Sequence, residues 1–140
     1  MFKSTFDAQF DDFLVTRIAD SAQTLSQFWG LLVNFQFAQV GGCQQQVQTT
    51  DRVLWAFDAF SKAHFLHITG PPSGHRNQPI TITVTDGSSG QPISGASVEG
   101  RSTNSLGQAN LTFTDVGWKR LKAEKSDSIR SNALEVIITP

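Results

Sequence analysis

Residues 80–139 repeat a pattern that few folds accommodate: short runs of alternating apolar and polar residues, each closed by a turn, at intervals of about ten residues. Ile80, Ile82 and Val84 alternate with threonines, the period-2 signature of a half-buried strand. DGSSGQP (86–92) then reads as a turn, Ala96 to Val98 as the start of a short strand, and STNSLGQ (102–108) as a second turn. In the strand from Asn110 to Thr114, Leu111 and Phe113 face inward. Asp115-Val116-Gly117 turns again. Trp118 to Ala123 is a strand directing Trp118 or Leu121 to the core, and Ser131 to Thr139 closes the set with Leu134, Val136 and Ile138. Five or more such strands predict a β-sandwich over residues 80–140.

The first half is less regular. Phe10 to Ala19 reads as a strand with Phe13, Val15 and Arg17 on one face. The stretch from Phe28 to Phe60 holds two apolar runs, each with a tryptophan, around a polar, glycine-bearing region. Phe28 to Phe37 suits a strand buried on both faces, Gly41-Gly42 breaks it, and Arg52 to Phe57 places Val53, Trp55 and Phe57 on one face. Phe65 to Thr69 is expected as the last strand of this half. Gly70 to Pro79 (GPPSGHRNQP) has linker composition. The expected layout is a module over 1–70, a linker over 71–79 and the sandwich over 80–140, all mostly β.

TVTDGSSGQPISGASVEG (83–100), TNSLGQANLTF (103–113) and GWKRLKAEKSDSIRSNALEVII (117–138) resemble an immunoglobulin-like or carboxypeptidase-regulatory-like (transthyretin-like) module. VTRIAD (15–20), FWGLLVNF (28–35), Gly41-Gly42 and VQTTDRVLWAFDAF (47–60) resemble the C-terminal part of the β-grasp domain of transcobalamin and intrinsic factor. That domain also occurs in secreted, fungal-type surface proteins. The chain departs from it at Phe35 and Thr50, where the family has glycines. The family's opening hairpin and helix are not legible before Phe10, so the first module is expected to be an incomplete β-grasp. The resemblance implies an extracellular or cell-surface setting. A fold of this kind specifies no activity.

Composition narrows the function. Only 16% of the 140 residues are charged and the net charge is −1, with no basic patch of the kind nucleic acid requires. No apolar run approaches membrane-span length. MFKSTFDAQFDDF has no signal-peptide h-region, so a secreted origin implies a mature fragment. Cys43 is the single cysteine and cannot close an internal disulfide; an intermolecular bridge or a free thiol remains open to it.

The chain carries no Gly-x-Ser-x-Gly elbow, and Asp7, Asp11, Asp12 and Asp20 read as a solvated acidic end. His64 and His67, three apart on a strand, point to opposite faces and make a poor chelate. No catalytic residue, metal site or cofactor is therefore expected. Trp29, Asn34 and Trp55 are the candidate ligand-binding residues, with core packing the competing role for both tryptophans. Trp118 is a candidate for stacking on sugar rings or for an interface. Asn110-Leu111-Thr112 is a glycosylation sequon facing outward. Missing β-grasp elements would leave an open edge and an uncovered apolar face, with Phe2, Phe6, Phe10 and Phe13 at the contact. The expected function is a non-enzymatic surface or matrix module that meets another extracellular protein, a glycan or itself. The alternative is a small-ligand domain of the cobalamin-carrier type around Trp29 and Trp55.

Overall fold

The computed structural model describes residues 1–140. The chain is nearly all β, as expected, and divides into two compact units, Met1–Lys62 and Ala63–Pro140. No helix is long and apolar enough to cross a membrane.

The first unit begins with a hairpin. Strand β1 (Phe2–Asp7) pairs antiparallel with β2 (Asp12–Ile18), and β3 (Ser21–Ala22) continues the sheet. No periodicity marks β1, whose residues are almost all exposed and so lack a buried face to set one. The register slips between Lys3↔Arg17 and Ser4↔Val15, leaving Thr16 as a bulge. The bulge corrects the expected face. Val15 and Phe13 share a side with Ser4 and Phe6, while Arg17 turns to the other side with Lys3.

A second sheet has the order β5-β4-β6, built from β4 (Trp29–Val33), β5 (Gln36–Phe37) and β6 (Val53–Phe57). The expected single strand over Phe28–Phe37 is thus two strands joined at Asn34-Phe35. Both turn residues have positive φ, 51° and 65°, as a two-residue hairpin turn of matching twist demands. Glycine is the natural residue there, and Phe35 carries the left-handed penalty of about 1–2 kcal/mol. Phe35→Gly is expected to raise the first unit's stability by about 0.5–1 kcal/mol, the relief being partly offset by glycine's unfolded-state entropy. Denaturant titration monitored by tryptophan emission measures it.

Residues opposite each other on β4 and β6 share a face. Trp29/Phe57 and Leu31/Trp55 lie on one side, Gly30/Ala56 and Leu32/Leu54 on the other. The 3-10 turn Ala59–Ser61 covers the second side: a Cβ on Gly30 would come within 2.9 Å of the Ala59 Cβ. Val15, Leu32, Ala56 and Ala59 are the unit's buried apolar residues.

The second unit starts earlier than expected. Strand β7 (His64–Thr69) pairs antiparallel with β9 (Pro79–Asp86), and β8 (Ser73–His75) lies between them in sequence. The remaining strands are β10 (Ser97–Val98), β11 (Arg101–Ser102), β12 (Gln108–Thr112), β13 (Gly117–Leu121), β14 (Ser128–Ile129) and β15 (Leu134–Thr139). A four-stranded sheet runs β12-β9-β7-β14, a three-stranded sheet runs β13-β15-β8, and β10-β11 form a separate hairpin. Leu66, Ile68, Ile82, Val84 and Leu111 from the first sheet form one core with Leu121, Val136 and Ile138 from the second. This is sandwich-like packing.

Two expectations fail here. The boundary lies at Lys62/Ala63 rather than near residue 70, because Leu66 and Ile68 alternate into the second core and β7 hydrogen-bonds β9. The stretch 71–79 is not a free linker either. β8 pairs parallel with β15, and a Cβ on Gly74 would stand 2.6 Å from the Ile80 Cγ2. Its glycine content reflects close packing as well as turning. In the strand from Gly117, Leu121 is buried and Trp118 is 72% exposed, which settles which of the two faces the core.

Candidate functional site

The first unit has too few apolar side chains turned inward to hide the rest. Phe2, Phe6 and Phe13 are 60%, 51% and 49% exposed, and Phe10 is exposed with them at the hairpin turn. Phe6 and Phe13 meet edge to face, with ring centroids 5.4 Å apart. Beside them runs a groove of about 370 Å3 lined by Phe2, Ser4, Phe13, Val15, Gly42, Cys43 and Trp55. A neighbouring hollow of about 200 Å3 shares Phe13, Val15, Gly42 and Trp55 and adds Trp29 and Leu31. The fold therefore brings Trp29 and Trp55 together with Phe2 and Phe13 of the hairpin.

Asn34 does not join them. Its side-chain amide donates to Asp51 at 2.8 Å, and its carbonyl accepts the Arg52 N–H at 3.0 Å. Asp51 also accepts the Gln48 N–H at 2.8 Å; that bond and the Asn34 amide hold its carboxyl below the usual range. Asn34 thus closes the turn onto β6 and does not line the groove or the hollow.

The groove wall that carries Cys43 is held by Asp12. Its carboxylate, buried at the start of β2, accepts the Phe13 N–H at 2.6 Å and the Cys43 N–H at 3.3 Å. Gln44 reaches back to the Phe10 and Asp11 carbonyls at 3.3 and 3.2 Å. A side chain on Gly41 would collide with the Asp12 carboxylate, so it is Gly41 that allows this approach. Asp12 is thus buried and is not part of a solvated acidic end. Beyond its neighbour Phe13, its partner Cys43 lies 31 residues away in the chain, and no local pattern announces it.

The Phe13 N–H holds the Asp12 carboxyl below the ordinary aspartate range. Asp12 in turn pushes the Cys43 thiol up, because a neighbouring carboxylate disfavours thiolate. Cys43 is exposed and free, yet it lacks the depressed pKa of a nucleophile. Since the folded pKa of Asp12 lies below its unfolded value, its contribution to stability is complete above the unfolded pKa. It is lost as pH falls through the folded pKa. Acidification through the folded pKa of Asp12 should therefore release the 41–45 loop, and Asp12→Asn should mimic this at neutral pH. Amide exchange at Cys43, Gln44 and Gln45 reads both.

In the second unit His64 Nδ1 lies 2.8 Å from Asp86 Oδ2. Burial opposes charge on Asp86, but the His64 ring and the Ser88 N–H outweigh it and keep its carboxyl below the usual range. Asp86 thus ties β7 to the turn after β9. His67 sits opposite Thr85 on that ladder, and no group of three His, Cys, Asp or Glu side chains gathers to hold a metal ion. Asn110 and Thr112 are exposed on β12 while Leu111 is buried, the alternation expected of an outward sequon; Asn110 Oδ1 accepts the Thr81 hydroxyl at 2.8 Å. Trp118 stands on the outer face of β13 with Arg120. Near Arg120 an open polar groove of about 480 Å3 also takes in Lys122, Arg130, Glu99 and Glu124.

No protein-family model matches the chain, and no curated protein or solved structure matches it.

Proposed function

We propose that the chain is a non-enzymatic module of an extracellular surface or matrix protein, acting through contact with another protein or a glycan. The observation that carries this reading is the aromatic face of the first unit, where exposed Phe2 and Phe13 line a groove with Val15 and Trp55, and exposed Phe6 packs edge to face on Phe13. A run of exposed large aromatics around a concave surface is the usual mark of an interaction site. The raised thiol of Cys43 argues against the most reactive side chain near that groove serving as a nucleophile. Exposed Trp118, with Arg120 beside it, offers a second place for a sugar ring to stack.

One observation favours the small-ligand reading. Trp29 lines the 200 Å3 hollow, and its buried indole N–H has no protein acceptor. That volume is below the usual range for drug-sized ligands, which makes this the second reading.

Light scattering over a dilution series, with and without reductant, and a glycan array test the first reading. The wild-type chain is expected to associate in a way that Phe6→Ser weakens, or to retain a glycan in a way that Trp118→Ala abolishes. A chain that is monomeric at high concentration and retains no glycan would overturn it. So would specific turnover of an ester, peptide or glycan that one polar substitution removes.

A further inference from the structure

We propose that β1 is the docking edge for a second copy of this chain, which adds its own β1 antiparallel about a two-fold axis at Thr5. The proposal rests on the module reading above and names its partner. β1 is the outer strand of the order β1-β2-β3, so one side of its backbone has no strand beside it. Natural edges are blunted by proline, bulges or inward charge. Here there is no proline, the bulge falls on β2 at Thr16, and Lys3 is the one basic residue in FKSTFD.

The sequence of the edge is self-complementary. In a two-fold antiparallel pair, directly opposed residues share a face, so even positions must meet even ones and odd must meet odd. With the axis at Thr5, Lys3 faces the partner's Asp7 twice by symmetry, and Ser4 faces the partner's Phe6. With the axis at Ser4, Lys3 faces only the partner's Thr5 and neither charge finds its opposite. The first arrangement matches charge on one face. On the other it sets the partner's Phe6 beside Ser4, against the mouth of the groove lined by Phe2, Phe13, Val15 and Trp55. The strand supplies backbone pairing, and the groove takes the aromatic side chain that the isolated unit leaves exposed.

The test uses the full chain with Cys43→Ser, so that an introduced thiol has no other partner. Under mild oxidation Thr5→Cys is expected to yield a disulfide-linked dimer several-fold faster than Ser4→Cys. Lys3→Asp is expected to weaken association about tenfold or more, since two attractive pairs become repulsive, and adding Asp7→Lys to it should restore it. Circular dichroism checks that each variant keeps its β content. Faster linkage of Ser4→Cys, no effect of Lys3→Asp, or a wild-type chain that stays monomeric overturns the proposal. Association that survives Lys3→Asp but falls with Phe6→Ser, or glycan retention without association, removes this dimer and leaves the module reading standing.

Discussion

Gly107→Ala is expected to destabilise the second unit by about 3–5 kcal/mol, lowering its melting temperature by more than about 15 °C. Gly107 is buried with φ +72°, a conformation that costs an L-residue about 1–2 kcal/mol by itself. A Cβ there would also run into the Val84 carbonyl oxygen and lie 3.2 Å from the Ile93 nitrogen and the Pro92 Cβ. Val84 and Ile93 both belong to the core. The Gly107 carbonyl accepts the Val84 N–H at 2.7 Å, so moving the turn away breaks a bond that extends the β12–β9 ladder. Gly100→Ala is the control. Its φ is +74°, but nothing lies within 4 Å of the added carbon, and only the conformational cost of about 1–2 kcal/mol should appear. Calorimetry of the two variants separates strain from collision; equal losses would mean that the turn shifts freely.

Leu32→Ala is expected to unfold the first unit while the second keeps its own transition. Removing a fully buried leucine costs about 2–5 kcal/mol. A unit of 62 residues is stable by only about 3–9 kcal/mol on the usual per-residue scale. Its other buried apolar residues, Val15, Ala56 and Ala59, are too small to close over the cavity. The same truncation at Leu66 falls in a core where thirteen other buried residues remain and should leave the second unit folded at room temperature. Emission from Trp29 and Trp55 reports the loss. Trp118, already exposed, contributes a constant background. A single shared transition in both variants would show that the units do not unfold separately.

These expectations bear on the proposed function because the same imbalance underlies both. The first unit turns four apolar side chains inward and leaves a row of phenylalanines on its surface. A contact that covers Phe6 and Phe13 adds burial where the unit has least of its own, so association and stability should rise together.

Strands whose side chains alternate between core and solvent are legible in the chain itself. Ile80, Ile82 and Val84 are buried one after another along β9, and Leu111, Val136 and Ile138 follow the same rule, because a period of two is written residue by residue. The turns at Gly90 and Gly107 are equally legible, since positive φ selects glycine there. Tertiary structure alone decided the partners. β7 has the composition of either half, and only its hydrogen bonds to β9 assign it to the sandwich. β8 hides inside a stretch rich in glycine and proline because Gly74 must pass close to Ile80. β1 has no buried face and therefore no period, and the bulge at Thr16 reverses the face of Arg17. The groove follows the same logic. Trp29 and Trp55 were legible as aromatic anchors within apolar runs. The approach of Phe2 and Phe13, and the carboxylate of Asp12 that fixes the Cys43 loop, come from contacts between distant segments, which no local pattern encodes.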